Sequence, residues 1–538
     1  MPATLAKPQA WRLAWLVGLL WSGGIMSRAD THYVSLDGDN TSPYTNGWAS
    51  AATQIQWAMD QAIADDTVLV SNGTYTLTNQ IEITNNLTVQ SLNGTNFTFV
   101  NGNYPDYSNR CVFMLAGTLD GFTISNGYLA VDTTNYPNSH IYGAVGGAGI
   151  GTRGTVTIKN CYIHNNVISN ATAGGGGGGI HNKYSYAVVS NCTIVDNTCG
   201  VGLATDIRGG GICGGAYSLL IIDSYIYGNT GNYGGGFYMA NAGLITNCII
   251  AGNYAKYNDG GGRLEALPGV GMANCVVSNN TSGGNGGIHI SLGAIAVNSI
   301  IIGNAGGPAV NVNAGGMMSN CQVIANTGGG VVLYGSAGGA SVVANCIIAN
   351  NFRNASSYAA GIYLENGGLL KNCLIYCNTN LQSYGGVRLY SDTLYTNFPY
   401  GLINCTIVDN KSSSGSGIYV SGITNYFANC IVVSNVTSAG AQDNIQNVTA
   451  ANTNNYWHTC TPDILPPNQG NITSDPLFVN RPDYNYRLSA GSPCINAGTN
   501  SAWIINSVDL DRRTRIRYGT VDMGAYEFIR SGTIFGFH

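Results

Sequence analysis

One short phrase recurs eleven times along this chain, and it limits what the chain can fold into more than any other feature. The copies start at 160, 191, 223, 247, 274, 298, 320, 345, 372, 404 and 429, with spacings of 22 to 32 residues. Asn160-Cys161-Tyr162-Ile163, Asn191-Cys192-Thr193-Ile194 and Asn274-Cys275-Val276-Val277 are typical; Asp223-Ser224 and Asn298-Ser299 are the variants. Six residues after every start stands another Asn, from Asn166 to Asn435, and two residues after every Cys or Ser stands Ile or Val. A second phrase lies between copies, as in Gly177-Gly178-Gly179-Ile180, Gly234-Gly235-Gly236-Phe237 and Gly415-Ser416-Gly417-Ile418.

Short β-branched runs that alternate with period two, inside a longer period of roughly 25 residues, are the mark of a solenoid. The runs are too short for helices, and propeller blades need about 40 residues. The pattern predicts an all-β fold: a right-handed parallel β-helix of eleven regular coils, whose equivalent residues stack ~4.8 Å apart. The Ile/Val column then fills the interior. The Asn column can form a ladder of side-chain amides. Cys-for-Ser exchange makes the Cys column a set of small buried groups without metal or redox chemistry. Six other cysteines (111, 199, 213, 377, 460 and 494) leave room for a disulfide, with Cys460 and Cys494 as the candidates.

Composition agrees. The 538 residues include 75 Gly and 63 Asn, and only 9 % are charged, too few to solvate a helical bundle. With 44 % hydrophobic and 10 % aromatic residues the chain is not disordered. A net charge of −5 gives no electrostatic reason to expect nucleic acid as a partner.

Residues 1–29 read as an export signal, with Lys7 and Arg12 before the apolar stretch Leu13–Trp21 and a small-x-small site at Ser27-Arg28-Ala29. No later segment has transmembrane length, so the expected location is extracellular or the cell surface. Residues 30–110 should hold an N-terminal cap, with an amphipathic helix over Ala52–Ala64, and the first irregular strands; residues 111–451 are the β-helix. Residues 452–528 form a closing module, and 529–538 a tail.

Two resemblances extend this reading. Tyr33-Val34-Ser35-Leu36-Asp37-Gly38, Ile55-Gln56-Trp57-Ala58 and Gly73-Thr74-Tyr75 resemble the beginnings of exported right-handed parallel β-helix proteins, the pectate-lyase-like superfold. Asp475-Pro476-Leu477-Phe478, Ser492-Pro493-Cys494-Ile495-Asn496-Ala497-Gly498 and Val521-Asp522-Met523-Gly524-Ala525-Tyr526-Glu527 resemble the C-terminal module of bacterial choice-of-anchor surface proteins. The resemblance implies an exported surface protein. Arg512 departs from the usual Gly, and Ile529–His538 holds no sorting signal.

Catalytic motifs are nearly absent. There is no phosphate loop, no His-Glu-x-x-His and no Cys-x-x-Cys, and no cofactor is indicated; a structural or catalytic Ca2+ stays open. One region breaks the apolar pattern. Aligning the Gly-rich phrases puts Arg208, Tyr233 and Asp259 in one column, with Asp206 beside it and Arg263 and Glu265 in place of apolar strand residues. These five charged groups (Asp206, Arg208, Asp259, Arg263, Glu265) are the candidate catalytic residues of a polysaccharide lyase or glycoside hydrolase, since elimination needs a base plus cations and hydrolysis needs two carboxyls. A bland ion-pair cluster is the competing explanation.

In the strand after the Gly-rich phrase the residue following each inward Ile, Val or Phe must point outward. That column carries Tyr238, His289, Tyr363, Arg388 and Tyr419, with Glu365 and Tyr390 two residues further on. Aromatic and hydrogen-bonding groups at coil spacing suit a polysaccharide or cell-surface glycan. The first expectation is therefore a non-catalytic, exported, surface-associated protein that binds polysaccharide or builds an extracellular layer, and an enzyme is the alternative. Oligomeric state is not legible.

Overall fold

The computed structural model describes residues 29–130, 146–169, 176–184, 186–200, 208–215, 218–265, 269–335, 339–390, 400–421, 426–447, 455–463 and 465–530. The expected export signal, apart from Ala29, and Asp206 lie outside the described residues.

The coil from Phe237 to Gly261 illustrates the repeat. It has four strands: Phe237–Ala240, Ala242–Thr246, Ile249–Ala251 and Tyr254–Asn258. Each pairs in parallel with its equivalents in the coils before and after, so the molecule has four strand-built faces, here called first to fourth in that order. The result is an all-β parallel β-helix, and the parallel crossovers take the right-handed path that strand twist enforces. The ladder already includes Thr31–Val34, Thr67–Val70 and Thr88–Ser91, which pair in parallel with one another and with Val112–Asp120. Inside runs one continuous core, with Ile163, Ile194, Ile226, Ile250, Val277, Ile301 and Val323 all fully buried.

The recurrent phrase marks the third face. Its first residue has left-handed backbone in all eleven copies, φ +49° to +55°, which explains Asn or Asp at that corner. A second left-handed corner closes the face five residues later. It is filled by residues as varied as Asn165, Asp196, Gly228, Ala325, Cys377, Asp409 and Ser434, with φ +52° to +65°. Cys377 thus belongs to a corner and not to the core.

The next Asn forms the expected ladder. Each Nδ2 donates to Oδ1 of the Asn in the following coil at 2.9–3.2 Å, from Asn166 to Asn435 without a break. The same Oδ1 accepts the backbone N–H of the donor, as Asn280 does from Asn253 at 2.9 Å. These buried amides are therefore satisfied by one another. The ladder ends on Asn444, which stands only nine residues after Asn435.

The Ala52–Ala64 helix is a correction. Only Ile55–Met59 is helical. Gln61 and Ala62 donate back three residues, tightening the last turn, and Asp66 then draws the chain away by accepting from the backbone N–H of Ile63 and of Asp30, each at 2.8 Å. Ile63, expected on the apolar stripe, is 55 % exposed.

The closing segment packs on the outward side of the third face in the last coils. Leu374, Val408, Ile431 and Val433 are covered by Tyr486, Leu488, Met523 and Tyr526. It also reads the corner residues: Asn372 donates to Val508 O at 3.0 Å, Asn404 to Asp522 O at 3.0 Å and Asn429 to Thr499 O at 3.0 Å. Arg515, fully buried, pairs with Glu527 at 2.8 Å and reaches Asn372 Oδ1. All fifteen cysteines are thiols in this structure, Cys460 and Cys494 both buried.

Candidate functional site

The outward column of the first face reads His181, Cys213, Tyr238, Arg263, His289, Asn311, Val332, Tyr363, Arg388, Tyr419, in unbroken register. Arg263 thus shares one column with Tyr238, His289, Tyr363, Arg388 and Tyr419, and Glu365 and Tyr390 pair two residues further along the same face. Two groups of candidates expected separately are neighbours on one surface.

Three expectations change in detail. Arg263 and Glu265 do not replace inward residues; Leu264 between them keeps the core position, and both flanking side chains are half-buried on the outer side. The core position of Ile212, Phe237 and Ile288 is instead filled at this level by Gly262, where an added Cβ would come within 2.3 Å of the Phe237 ring. Nor does Asp259 stack on Tyr233. The strand Tyr254–Asn258 is one residue longer than its neighbour Thr230–Tyr233, its register shifts between Gly231 and Tyr233, and Tyr233 pairs with Asn258. Asp259, φ +69°, thereby takes the left-handed position that Gly177, Gly209 and Gly234 fill with φ +67° to +68°.

The slip places Asp259 inside the cluster. Its side chain is fully buried, 3.5 Å from Arg263 Nη1 and 3.6 Å from His289 Nδ1, and Oδ1 accepts from Asn285 at 3.1 Å. Arg263 donates to Glu265 Oε1 at 3.2 Å. The Tyr238 hydroxyl donates to Glu265 Oε2 and accepts from Arg208 at 2.7 Å, while the Arg208 guanidinium lies 4.7 Å from the Tyr238 ring centre. Burial, and then the hydrogen bond to Glu265, pushes the Tyr238 hydroxyl far above the ordinary phenol range. His289 is 7 % exposed, and its Nε2 has no hydrogen-bond partner, nor has Asn311 Oδ1 next in the column. The imidazole thus faces a buried carboxylate across 3.6 Å through Nδ1, longer than a hydrogen bond, and its other nitrogen is unengaged.

Two coils beyond Asn311 the column becomes aromatic at Tyr363. The Arg388 guanidinium lies 4.4 Å from the ring centre of Tyr384, 5.2 Å from Tyr363 and 5.8 Å from Tyr390. Tyr384 packs on Tyr419 at 4.6 Å, and Tyr358 on Tyr363 at 5.0 Å. Tyr363, like Tyr238, is nearly covered, whereas Glu365, Arg388, Tyr390 and Tyr419 keep partly open surfaces. Tyr358, Tyr384 and Arg353 were not singled out from the sequence. For Tyr384 the available signal is position, directly before Gly385-Gly386 as Tyr233 stands before Gly234-Gly235-Gly236; Tyr358, before Ala359-Ala360-Gly361, carries no such signal.

Among the described residues no group of His, Cys, Asp and Glu has the arrangement of a metal site, and no helix is long and apolar enough to cross a membrane. No family model and no curated protein matches the sequence. Among solved structures the chain is similar to pectate lyase Pel9A, with 14 % identity over 93 % of this chain and 97 % of that one and a TM-score of 0.24. It is similar to a PL6 alginate lyase in complex with a trisaccharide, with 14 % identity, coverage of 73 % and 84 % and a TM-score of 0.34. It is also similar to the A-module of the mannuronan C-5 epimerase AlgE4 of Azotobacter vinelandii, with 13 % identity, coverage of 74 % and 93 % and a TM-score of 0.30. The chemistry of this face rests on the chain's own residues.

Proposed function

We propose that this is an exported, surface-associated protein that binds a polysaccharide along the outward column of the first face. The observation that carries the reading is the half-open group of Arg388, Tyr390, Tyr419 and Glu365, where rings, a cation and a carboxylate lie side by side at coil spacing. Such groups give a sugar chain both stacking surfaces and hydrogen bonds. The C-terminal resemblance supports a place at the cell surface. Affinity electrophoresis on a panel of uronate and neutral polysaccharides tests the reading: Arg388→Ala/Tyr419→Ala should lose the retardation of the wild type. Equal retardation of both proteins on every glycan removes this face as the binding site.

A second reading, a polysaccharide lyase or hydrolase, is favoured by one observation, the buried His289 with its unengaged Nε2 beside Asp259. In this reading His289 takes the proton, Asp259 orients it, and Arg263 and Arg208 balance charge on the substrate. Assays for new reducing ends and for unsaturated products decide between the readings. Turnover that disappears in His289→Gln but survives Tyr419→Ala establishes the enzyme; no product from any glycan that binds establishes the binder.

A further inference from the structure

The outward sides of the second and third faces differ from the first in one respect, the near absence of charge. Across six consecutive coils the segments Ser218–Asn229, Ala242–Asn253, Val270–Asn280, Ile295–Asn304, Met317–Asn326 and Val342–Asn351 contain a single charged residue, Asp223. One outward row on each face is mostly apolar, while the rows beside them carry Thr246, Ser278 and Ser319. On the third face Tyr225, Ile249, Val276 and Ile300 stack in register; on the second, Leu244, Gly271, Ile295 and Met317 do so. Ile249 and Ile300 are each 37 % exposed, and Tyr225 is 51 % exposed. An aliphatic strip of this kind along stacked strands, with no gatekeeping charge, marks an interaction surface.

The strip continues into an interface already made. The row Tyr225, Ile249, Val276, Ile300, Gln322 and Ile347 runs on to Leu374, Thr406 and Ile431, and those last three are covered by the closing module. The same row is therefore used as a protein-binding surface at its C-terminal end and left open over its middle. The occupant of the open part has to be aliphatic and uncharged as well, because a charged partner would lose its hydration there without compensation. Among the described residues the strip itself meets that requirement.

We propose that two copies of this chain associate through this strip, third face against third face about a two-fold axis, with Ile249, Val276 and Ile300 of each at the centre and Tyr225 at the edge. A self-complementary patch used twice is the commonest form of association between identical chains. Sedimentation of the full chain over a wide concentration range tests the proposal. The wild type should sediment with twice the mass of one chain, and Ile249→Glu/Ile300→Glu with the mass of one, its circular dichroism unchanged since both side chains point outward and its melting temperature lower by the stability that association gave. A monomeric wild type at the highest concentration overturns the proposal, and so does a double variant that stays dimeric. If that variant fails to fold, hydrogen exchange on the wild type decides: protection of 247–252 and 298–303 that rises with concentration supports the contact, and protection that rises elsewhere overturns it. A monomer that pellets with phosphatidylcholine vesicles or with insoluble cellulose also overturns it and gives the strip to that surface.

Discussion

Oδ1 of Asp259 lies 3.6 Å from Nδ1 of His289, and a left-handed residue holds it there in the slot that three preceding coils give to glycine. Left-handed backbone costs an L-residue about 1 kcal/mol or more, and residues kept in such backbone cluster at functional sites. Asp259→Gly therefore separates function from stability. It relieves the backbone while removing one of two carboxylates from Arg263, which keeps Glu265, so stability should change by no more than about 1–2 kcal/mol. Chemical denaturation measures that. Product formation by the enzyme reading, or glycan retention at this end of the face, should disappear in the same variant.

The interior amide ladder makes a sharper stability prediction. Asn280 accepts from both the backbone N–H and the Nδ2 of Asn253. Asn280→Ala leaves the Asn253 N–H buried without a partner and removes one of the two bonds of its Nδ2, which keeps Ile226 O at 2.9 Å; an unsatisfied buried donor costs about 1–3 kcal/mol. The melting temperature should fall clearly, and hydrogen exchange should quicken first in the coils on either side of position 280. A variant as stable as the wild type would show that the ladder contributes no net stability.

The columns of Asn, Cys and Ile were legible because stacking repeats the same environment in every coil, so the sequence repeats with it. Features that arise from a break in stacking were not. The slip at Asp259 needs one extra residue in Tyr254–Asn258, and nothing in local composition distinguishes that strand from its neighbours. Asn444 escaped because it stands nine residues after Asn435 instead of a full coil. The two candidate groups were kept apart because Arg263 joins the outward column only if Gly262 takes a core position, which no apolar pattern suggests. The short helix at Ile55–Met59 reflects tertiary hydrogen bonds to Asp66, and helical spacing of apolar residues cannot reveal those.

The closing module should respond to pH. Burial, offset in part by Arg515, raises the Glu527 carboxyl to about 7, and burial also raises Asp522. A carboxyl whose folded value lies above its unfolded value stabilises the fold fully below the unfolded value, and that contribution is lost as pH rises through the folded one. The window here runs from about 4.5 to about 7, and the effect across it is on the order of 3 kcal/mol. Limited proteolysis of residues 455–530 should be slower at pH 5.5 than at pH 8. The opposite order would mean that Arg515 holds Glu527 ionised throughout.

Cys460 and Cys494 both belong to the buried cluster under the module, and the Cys460 thiol beside it, together with burial, pushes the Cys494 thiol far up. In an oxidising thiol–disulfide buffer they should form the one intramolecular disulfide, visible by non-reducing peptide mapping, and raise module stability by about 3–4 kcal/mol through loop closure. Cys460→Ser should abolish the bond and the gain together.

The corner residues give the last test, because the same residue type does two jobs along one column. Asn298 is an exposed corner with φ +51°, and Asp223 shows that a carboxylate fits such a corner, at φ +49°. Asn429 has the same backbone, φ +55°, but its Nδ2 donates to Asn404 Oδ1 at 3.1 Å and to Thr499 O at 3.0 Å, while its Oδ1 accepts from Thr499 N at 2.7 Å. Replacing the amide by a carboxylate turns both donated bonds into oxygen facing oxygen and buries a charge at a position only 1 % exposed. Asn298→Asp should therefore leave stability within about 0.5 kcal/mol of the wild type, as an exposed substitution does. Asn429→Asp should loosen residues 455–530 by about 2 kcal/mol or more while the coils before residue 347 keep their protection. Hydrogen exchange on the two variants side by side measures both effects, and equal protection of the module in both would mean that apolar contact alone holds it in place.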